Sequence, residues 1–155
     1  MLNLSEEAQK VRNAIELIAG DHSHFFSDGF PINACKHASQ IFCYHLGIMG
    51  FEEPLSVVFG VSKKRGGEVG HWWVESEDFL IDLTADQFNI IDDRDLSYKI
   101  REKRDYLSVY CCLVSKAPHY NVFSTIDKQK FTWDLSEISD EYIEHLELDY
   151  EKMNL

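Results

Sequence analysis

The chain has 155 residues, of which 45% are hydrophobic and 13% aromatic, which is enough for an ordinary core in a single domain spanning residues 1–155. This composition excludes a disordered chain, and no apolar run approaches the ~18 residues that a membrane helix needs. The formal net charge of −12 argues against nucleic acid as a partner, because a phosphate backbone is bound by a basic surface.

The start of the chain and the cysteines predict a compartment. The N-terminal sequence MLNLSEEAQK has no basic stretch followed by an apolar one, so we expect no secretory signal and a soluble, cytoplasmic protein. Delivery into another cell by a specialised route stays open. The four cysteines, at positions 35, 43, 111 and 112, are expected to be reduced thiols rather than a disulfide framework.

Two helices are predicted in the first third of the chain. The first begins near Ser5 and ends before Gly20, and residues 21–32 form a loop. The second has Asn33 as its N-cap and Gly47 as its C′ residue. Both have apolar positions at helical spacing, which predicts that one face of each helix packs against a core.

The rest of the chain predicts a sheet followed by one more helix. The predicted strands are short and rich in aromatic or β-branched residues, and they cover residues 55–61, 70–75, 79–83 and 106–114. The basic segment 63–67 is predicted to be a loop, and residues 136–152 an acidic terminal helix. This order of elements predicts an α+β fold with a mostly antiparallel sheet.

Among the thiols, Cys35 is distinguished by its place at the start of the second helix. A helix N-terminus carries partial positive charge and free amide donors, which stabilise a thiolate and can also donate to an oxyanion during acyl transfer. Packing accounts for Cys43 in mid-helix and for Cys111 and Cys112 in mid-strand. Cys35 is therefore the candidate nucleophile, and the alternative is a small apolar residue in the core.

The segment GHWWVESEDFLIDL predicts a hairpin that brings a histidine to an acid. With Ser76 and Glu77 as the two turn residues, His71 lies opposite Asp82, where Cβ atoms are about 4.5–5.5 Å apart. Both faces of this hairpin are apolar, so we expect it to be buried and Asp82 to be paired. The pair predicts a general base, His71, that is oriented by Asp82. Asp86 is the alternative acid, although it is predicted to lie in a turn.

The remaining histidines are expected to be structural: His22, His24, His37, His45, His119 and His145.

With Cys35, His71 and Asp82 in this order, the chain resembles the transglutaminase-like and papain-like cysteine enzymes. In that superfamily a cysteine opens a helix packed against a sheet, and the histidine and aspartate come from consecutive strands. The block FPINACKHASQIFCYHLG is similar to the nucleophile helix and HWWVESEDFLIDLTADQF to the strand pair, so the resemblance covers about residues 29–90. Two features depart from it: no glutamine that precedes the nucleophile in papain-like members is identified, and Ala34 stands where eukaryotic transglutaminases carry tryptophan.

The resemblance implies a cysteine-dependent acyl-transfer enzyme of the protease, deamidase or transglutaminase type. Cys35 would attack a peptide, protein or small amide substrate, His71 would move the proton, and water or an amine would resolve the thioacyl intermediate. Asn33 and Gln87 are candidate substrate-binding or oxyanion residues. No metal or cofactor is expected.

Two other functions stay open at this point. The first is a non-catalytic binding or inhibitor protein, immunity-like and on the same fold, whose acidic terminal helix would dock on a basic protein partner. The second is a zinc site, although paired metal-ligand spacing such as CxxC or HExxH is missing. Its candidate ligands are Cys35, His37, His71, Asp82, Cys111, Cys112 and His119.

Overall fold

A computed structural model describes residues 1–132 and 139–155 of the chain. Within these ranges it has six helices and five strands. The helices are α1 (Leu4–Ile18), α2 (Cys35–Ile48), α3 (Gln87–Ile90), α4 (Tyr98–Glu102), α5 (His119–Val122) and α6 (Asp140–Met153). The strands are β1 (Ser56–Lys64), β2 (Gly67–Ser76), β3 (Phe79–Asp82), β4 (Tyr110–Leu113) and β5 (Ser124–Lys130). They form one antiparallel sheet in the order β4-β3-β2-β1-β5. The predicted α+β class is therefore confirmed.

The central strands of the sheet are buried on both faces, because neighbouring residues along them enter different cores. Val57 and Val74 pack with side chains of α1, α2 and α6 in the first core. Val58 and Trp73, one position away on each strand, pack with side chains of α3, α4 and α5 in the second core. The prediction that the hairpin is buried on both faces is confirmed, and helices cover each side of the sheet.

The two N-terminal helices differ from the prediction mainly at their ends. The side chain of Asn3 accepts a hydrogen bond from the Glu6 amide at 3.1 Å, which caps α1 close to the predicted start. In α2 the predicted caps are wrong. Ala34 is the N-cap, and Asn33 lies outside the helix with φ +60°. The helix continues through Gly47 to Ile48.

The basic segment 63–67 is not the predicted loop. Lys63 pairs with Glu68 and Lys64 with Gly67, so β1 and β2 stay paired up to a two-residue turn at 65–66. Gly66 has φ +81°, a backbone conformation that glycine adopts at little cost. Lys63 and Lys64 therefore lie in the regularly paired part of the β1–β2 hairpin.

Several elements were missed or misplaced at sequence level. β5 escaped prediction because all seven of its residues are exposed and polar residues dominate it, as at a sheet edge. The predicted strand 106–114 shrinks to Tyr110–Leu113, and α3, α4 and α5 span only four or five residues each. α6 begins at Asp140, and residues 136–138 of the predicted terminal helix lie outside the described residues. No helix in the described ranges has the length and apolar character needed to cross a membrane.

Gly60 of β1 lies where the second core is tightest. A Cβ added there would come within 2.8 Å of the Trp73 ring and 2.9 Å of the Phe123 Cβ atom. Both side chains are buried, so neither moves freely. We expect Gly60→Ala to lower the free energy of unfolding by about 1–3 kcal/mol, as overpacking does, measured by urea denaturation.

Gly67→Ala is the matched control, because its added Cβ would meet only the flexible end of Lys64, at 3.9 Å. We expect that variant to stay within about 0.5 kcal/mol of the wild type. Equal losses in the two variants would contradict tight packing at Gly60.

Candidate active site

Cys35 is the first residue of α2 and is half-buried. No side chain caps this helix start, because the N-cap is Ala34. The amides of the first turn are therefore left without a side-chain acceptor at the N-cap. By contrast, Cys43 is fully buried, and burial raises the pKa of its thiol well above the ordinary value.

His71 and Asp82 are brought together, although by a different register from the predicted one. Ser76 pairs with Phe79, so Glu77 and Asp78 form the turn and the ladder is shifted by two residues. The predicted turn was wrong because Ser76 is buried, whereas Glu77 and Asp78 are exposed. A shift of two residues keeps each side chain on its face of the sheet. His71 Nε2 and Asp82 Oδ2 are therefore still 2.6 Å apart, within a hydrogen bond.

A second histidine binds the same carboxylate oxygen. His119, on α5, has its Nε2 atom 2.7 Å from Asp82 Oδ2. The other oxygen, Oδ1, accepts a hydrogen bond from the Thr84 amide at 2.8 Å. Both histidines and the aspartate are buried, with exposed fractions of 2% or less. Asp82 is therefore a fully hydrogen-bonded anion within the second core.

The ionised forms of His71 and Asp82 stabilise each other. Burial alone would lower the pKa of His71, but the charge of Asp82 and its hydrogen bond outweigh burial and raise that pKa to about 10. Cys35 is close enough to add a smaller hydrogen-bond and charge contribution in the same direction. Burial likewise opposes ionisation of Asp82, yet His71 and His119 together lower the pKa of its carboxyl. An imidazolium next to a carboxylate is therefore the favoured state.

The ring atoms of His71 have distinct surroundings. Nε2 is engaged with Asp82, and Nδ1 is buried with no hydrogen-bond partner of good geometry in the described part of the chain. Because Asp82 engages Nε2, Nδ1 is the ring atom left for another partner. In the neutral ring, a proton held on Nε2 by Asp82 leaves the Nδ1 lone pair free to act as a base.

Asp86, the alternative acid, has a structural role. Its two carboxylate oxygens accept hydrogen bonds from both terminal nitrogens of Arg12, at 2.7 and 2.8 Å. Arg12 also donates to the Leu83 carbonyl at 2.7 Å. This buried arginine ties α1 to the segment that follows β3, directly after Asp82. The bidentate geometry holds both carboxylate oxygens of Asp86 in the ion pair with Arg12.

Asn33 and Gln87 lie at the wall of a cleft of about 470 Å³. Gly70, the residue before His71, also lines this cleft. Gln87 is buried, accepts from the Asn33 amide at 3.4 Å and donates to the Thr84 carbonyl at 3.1 Å. The side chain of Gln87 thus holds the segment before Cys35 against α3, and Asn33 is exposed beside the cleft.

Three of the candidate zinc ligands converge, namely His71, Asp82 and His119, whose ligand atoms lie within 4.8 Å of one another. Their residue types suit zinc. Ligands bonded to zinc at about 2.0–2.1 Å in a tetrahedral site are about 3.3 Å apart. The separations of 2.6 and 2.7 Å between imidazole and carboxylate are instead those of charge-assisted hydrogen bonds. The same atoms cannot make both sets of bonds at once.

Sequence reasoning placed His119 among the structural histidines and the candidate zinc ligands, but it missed the bond of His119 to Asp82. His119 lies 37 residues beyond Asp82, in a four-residue helix that shows no periodic pattern. One signal in the sequence could have indicated this bond. A buried aspartate needs more than one hydrogen-bond donor, and His119 follows a strand that was predicted to lie in the same sheet as Asp82.

Comparison of the chain with protein-family models, with curated proteins and with solved structures found no match.

Proposed function

We propose that this protein is a cysteine-dependent acyl-transfer enzyme of the protease, deamidase or transglutaminase type. Cys35 is its nucleophile, His71 its general base and acid, and Asp82 the group that orients His71. The observation that carries the proposal is the buried His71–Asp82 hydrogen bond of 2.6 Å, with the half-buried Cys35 contributing to the pKa of the same imidazole. In the same proposal, residues 29–90 form a papain- or transglutaminase-like core.

The reaction follows from the positions of these groups. The thiol proton passes to Nδ1 of His71, and the thiolate sulfur bonds to the carbonyl carbon of a carboxamide or peptide bond. The uncapped amides at the start of α2 donate to the resulting oxyanion. His71 then protonates the leaving nitrogen as the carbon–nitrogen bond breaks. Water or an amine, deprotonated by His71, attacks the thioester and releases Cys35 as a thiol.

The test measures the rate at which each thiol reacts with iodoacetamide from about pH 4 to 9, with adducts located by peptide mass. We expect Cys35 to react at pH 6 at least about tenfold faster than Cys111 and Cys112. Those two cysteines are matched internal controls, because they are also half-buried and burial raises the pKa of each. If all three react alike at pH 6, the thiol is not activated and the proposal fails.

A second candidate function is a non-catalytic binding protein for a basic partner. The observation that favours it is a cluster of exposed acids on α6, which would attract positive charge. These acids are Asp140, Glu141, Glu144, Glu147 and Glu151. The same alkylation measurement separates the two functions. A protein that only docks through α6 does not need an activated thiol, so Cys35 would then react below pH 7 no faster than Cys111 and Cys112.

A further inference from the structure

A basic pocket lies on this otherwise acidic protein. It has a volume of about 580 Å³. The sequence holds 15 lysines and arginines against 27 aspartates and glutamates. In the lining of this pocket the ratio is reversed, with five cations and one acid. The cations come from the β1–β2 hairpin, from the turn before α4 and from α4 itself. They are Lys63, Lys64, Arg65, Arg94 and Arg101.

Acidic neighbours neutralise only part of this charge. Asp93, the one acid among the described residues that line the basic pocket, is held at 2.5 Å by Arg104, which is outside the lining. Asp92 lies 3.6 Å from Arg94, and both side chains are largely exposed, so water weakens that pair. The basic pocket therefore keeps a net positive charge for an anion.

The basic pocket adjoins the cleft beside the candidate active site. Lys64 and Leu96 line both cavities. Lys64 pairs with Gly67, which is four residues along β2 from His71. At about 3.4 Å per residue along a strand, that distance is about 14 Å. An extended peptide with its carboxamide at Cys35 would reach the basic pocket within about four residues.

We propose that the basic pocket is a subsite that binds acidic side chains of a polypeptide substrate, about four residues from the carboxamide that Cys35 attacks. This inference rests on the proposed function. A polypeptide is favoured over a nucleic acid because the adjoining thiol chemistry acts on amides, and because a net charge of −12 repels a long polyanion while a short acidic segment meets only the local cations.

The first test measures binding with the full-length Cys35→Ser chain and fluorescein-labelled peptides, followed by fluorescence anisotropy. Each peptide carries one glutamine and, four residues away on its N-terminal or C-terminal side, three glutamates; a matched peptide has glutamines in place of the glutamates. We expect one of the acidic peptides to bind at least about tenfold more tightly than the neutral one, and its affinity to fall as salt is raised.

Charge variants locate the binding. The triple change Lys63→Ser, Lys64→Ser and Arg65→Ser is expected to weaken the acidic peptide about tenfold. A control with the same loss of charge elsewhere combines Lys116→Ser, Lys130→Ser and Lys152→Ser, and it should retain the affinity. If both triple variants bind the acidic peptide equally weakly, the affinity depends only on the net charge of the protein. If neither variant binds it more weakly than the parent chain, the basic pocket is not the binding site. An oligonucleotide of equal charge that bound as tightly would overturn the specificity for polypeptide.

The last test connects the subsite to the thiol. In the wild-type protein, a saturating acidic peptide should slow iodoacetamide alkylation of Cys35 more than the neutral peptide does. Binding without such protection would overturn a shared groove. Because binding by the Cys35→Ser chain needs no activated thiol, an unreactive Cys35 with intact peptide binding would refute the proposed chemistry alone.

Discussion

Replacement of His71 by asparagine is expected to slow alkylation of Cys35 at pH 6 by about 100-fold. Removing the imidazolium removes a positive charge that favours the thiolate of Cys35, and the thiolate is the form that reacts with iodoacetamide. The measurement is the rate constant for alkylation of Cys35 by iodoacetamide in the wild type and in His71→Asn, with adducts located by peptide mass. The expected loss is large because the pKa of His71 is raised to about 10, with a contribution from Cys35, so the imidazole carries its positive charge at pH 6.

Two controls separate the loss of the base from the loss of the fold. His119→Asn removes the other histidine from Asp82 Oδ2 and leaves His71 in place, so Cys35 should keep most of its reactivity at pH 6. Cys43 has no exposed surface, so its resistance to iodoacetamide shows that a variant is still folded. If folded His71→Asn reacts as fast as the wild type, His71 does not activate the thiol.

Asp82→Asn is expected to lower the free energy of unfolding by about 3–5 kcal/mol near pH 5, as loss of one partner from a buried ion pair does. Asp82 has an exposed fraction of 1% and binds two buried histidines through one oxygen. An asparagine of the same shape cannot balance the charge of His71. Urea denaturation of both proteins measures the difference. Asp78→Asn, at the exposed tip of the same hairpin, should change stability by less than about 0.5 kcal/mol.

The cost of Asp82→Asn should depend on pH in a defined direction. The pKa of His71 is raised in the folded protein, so its share of the stability is complete below the ordinary value of 6.5 and is lost as pH rises towards about 10. The pKa of Asp82 is lowered, so its share is present above the ordinary value of 3.8 and is lost as pH falls below it. The difference between wild type and variant should therefore be largest between pH 3.8 and 6.5. A difference that grows from pH 6.5 to 9 would contradict the ion pair.

The central part of the site was predictable because it depends on local pattern. A strand period of two residues places His71 and Asp82 on one face for the predicted register and also for the true one, which differs by two positions. An odd shift would have separated them. The start of α2 was predictable to within two residues for a similar reason, since the helical period of its apolar residues survives an error in the cap.

The remainder depends on contacts between distant parts of the chain. Arg12 and Asp86 are 74 residues apart, and His119 and Asp82 are 37 apart. Single residues of this kind carry no periodicity, so their partners follow only from the folded arrangement. The cap of α2 was misplaced because Asn33 favours both a capping position and the left-handed backbone conformation that it adopts here.

β5 has a consequence for association between copies of the chain. As the outermost strand beside β1, it presents backbone donors and acceptors along one side, which another strand could use to extend the sheet. Its sequence, STIDKQK, carries two lysines and an aspartate, and every residue in it is exposed. Such charges oppose edge-to-edge pairing. The polar character that hid β5 from prediction is thus the property that protects a sheet with two apolar faces from aggregation through this edge.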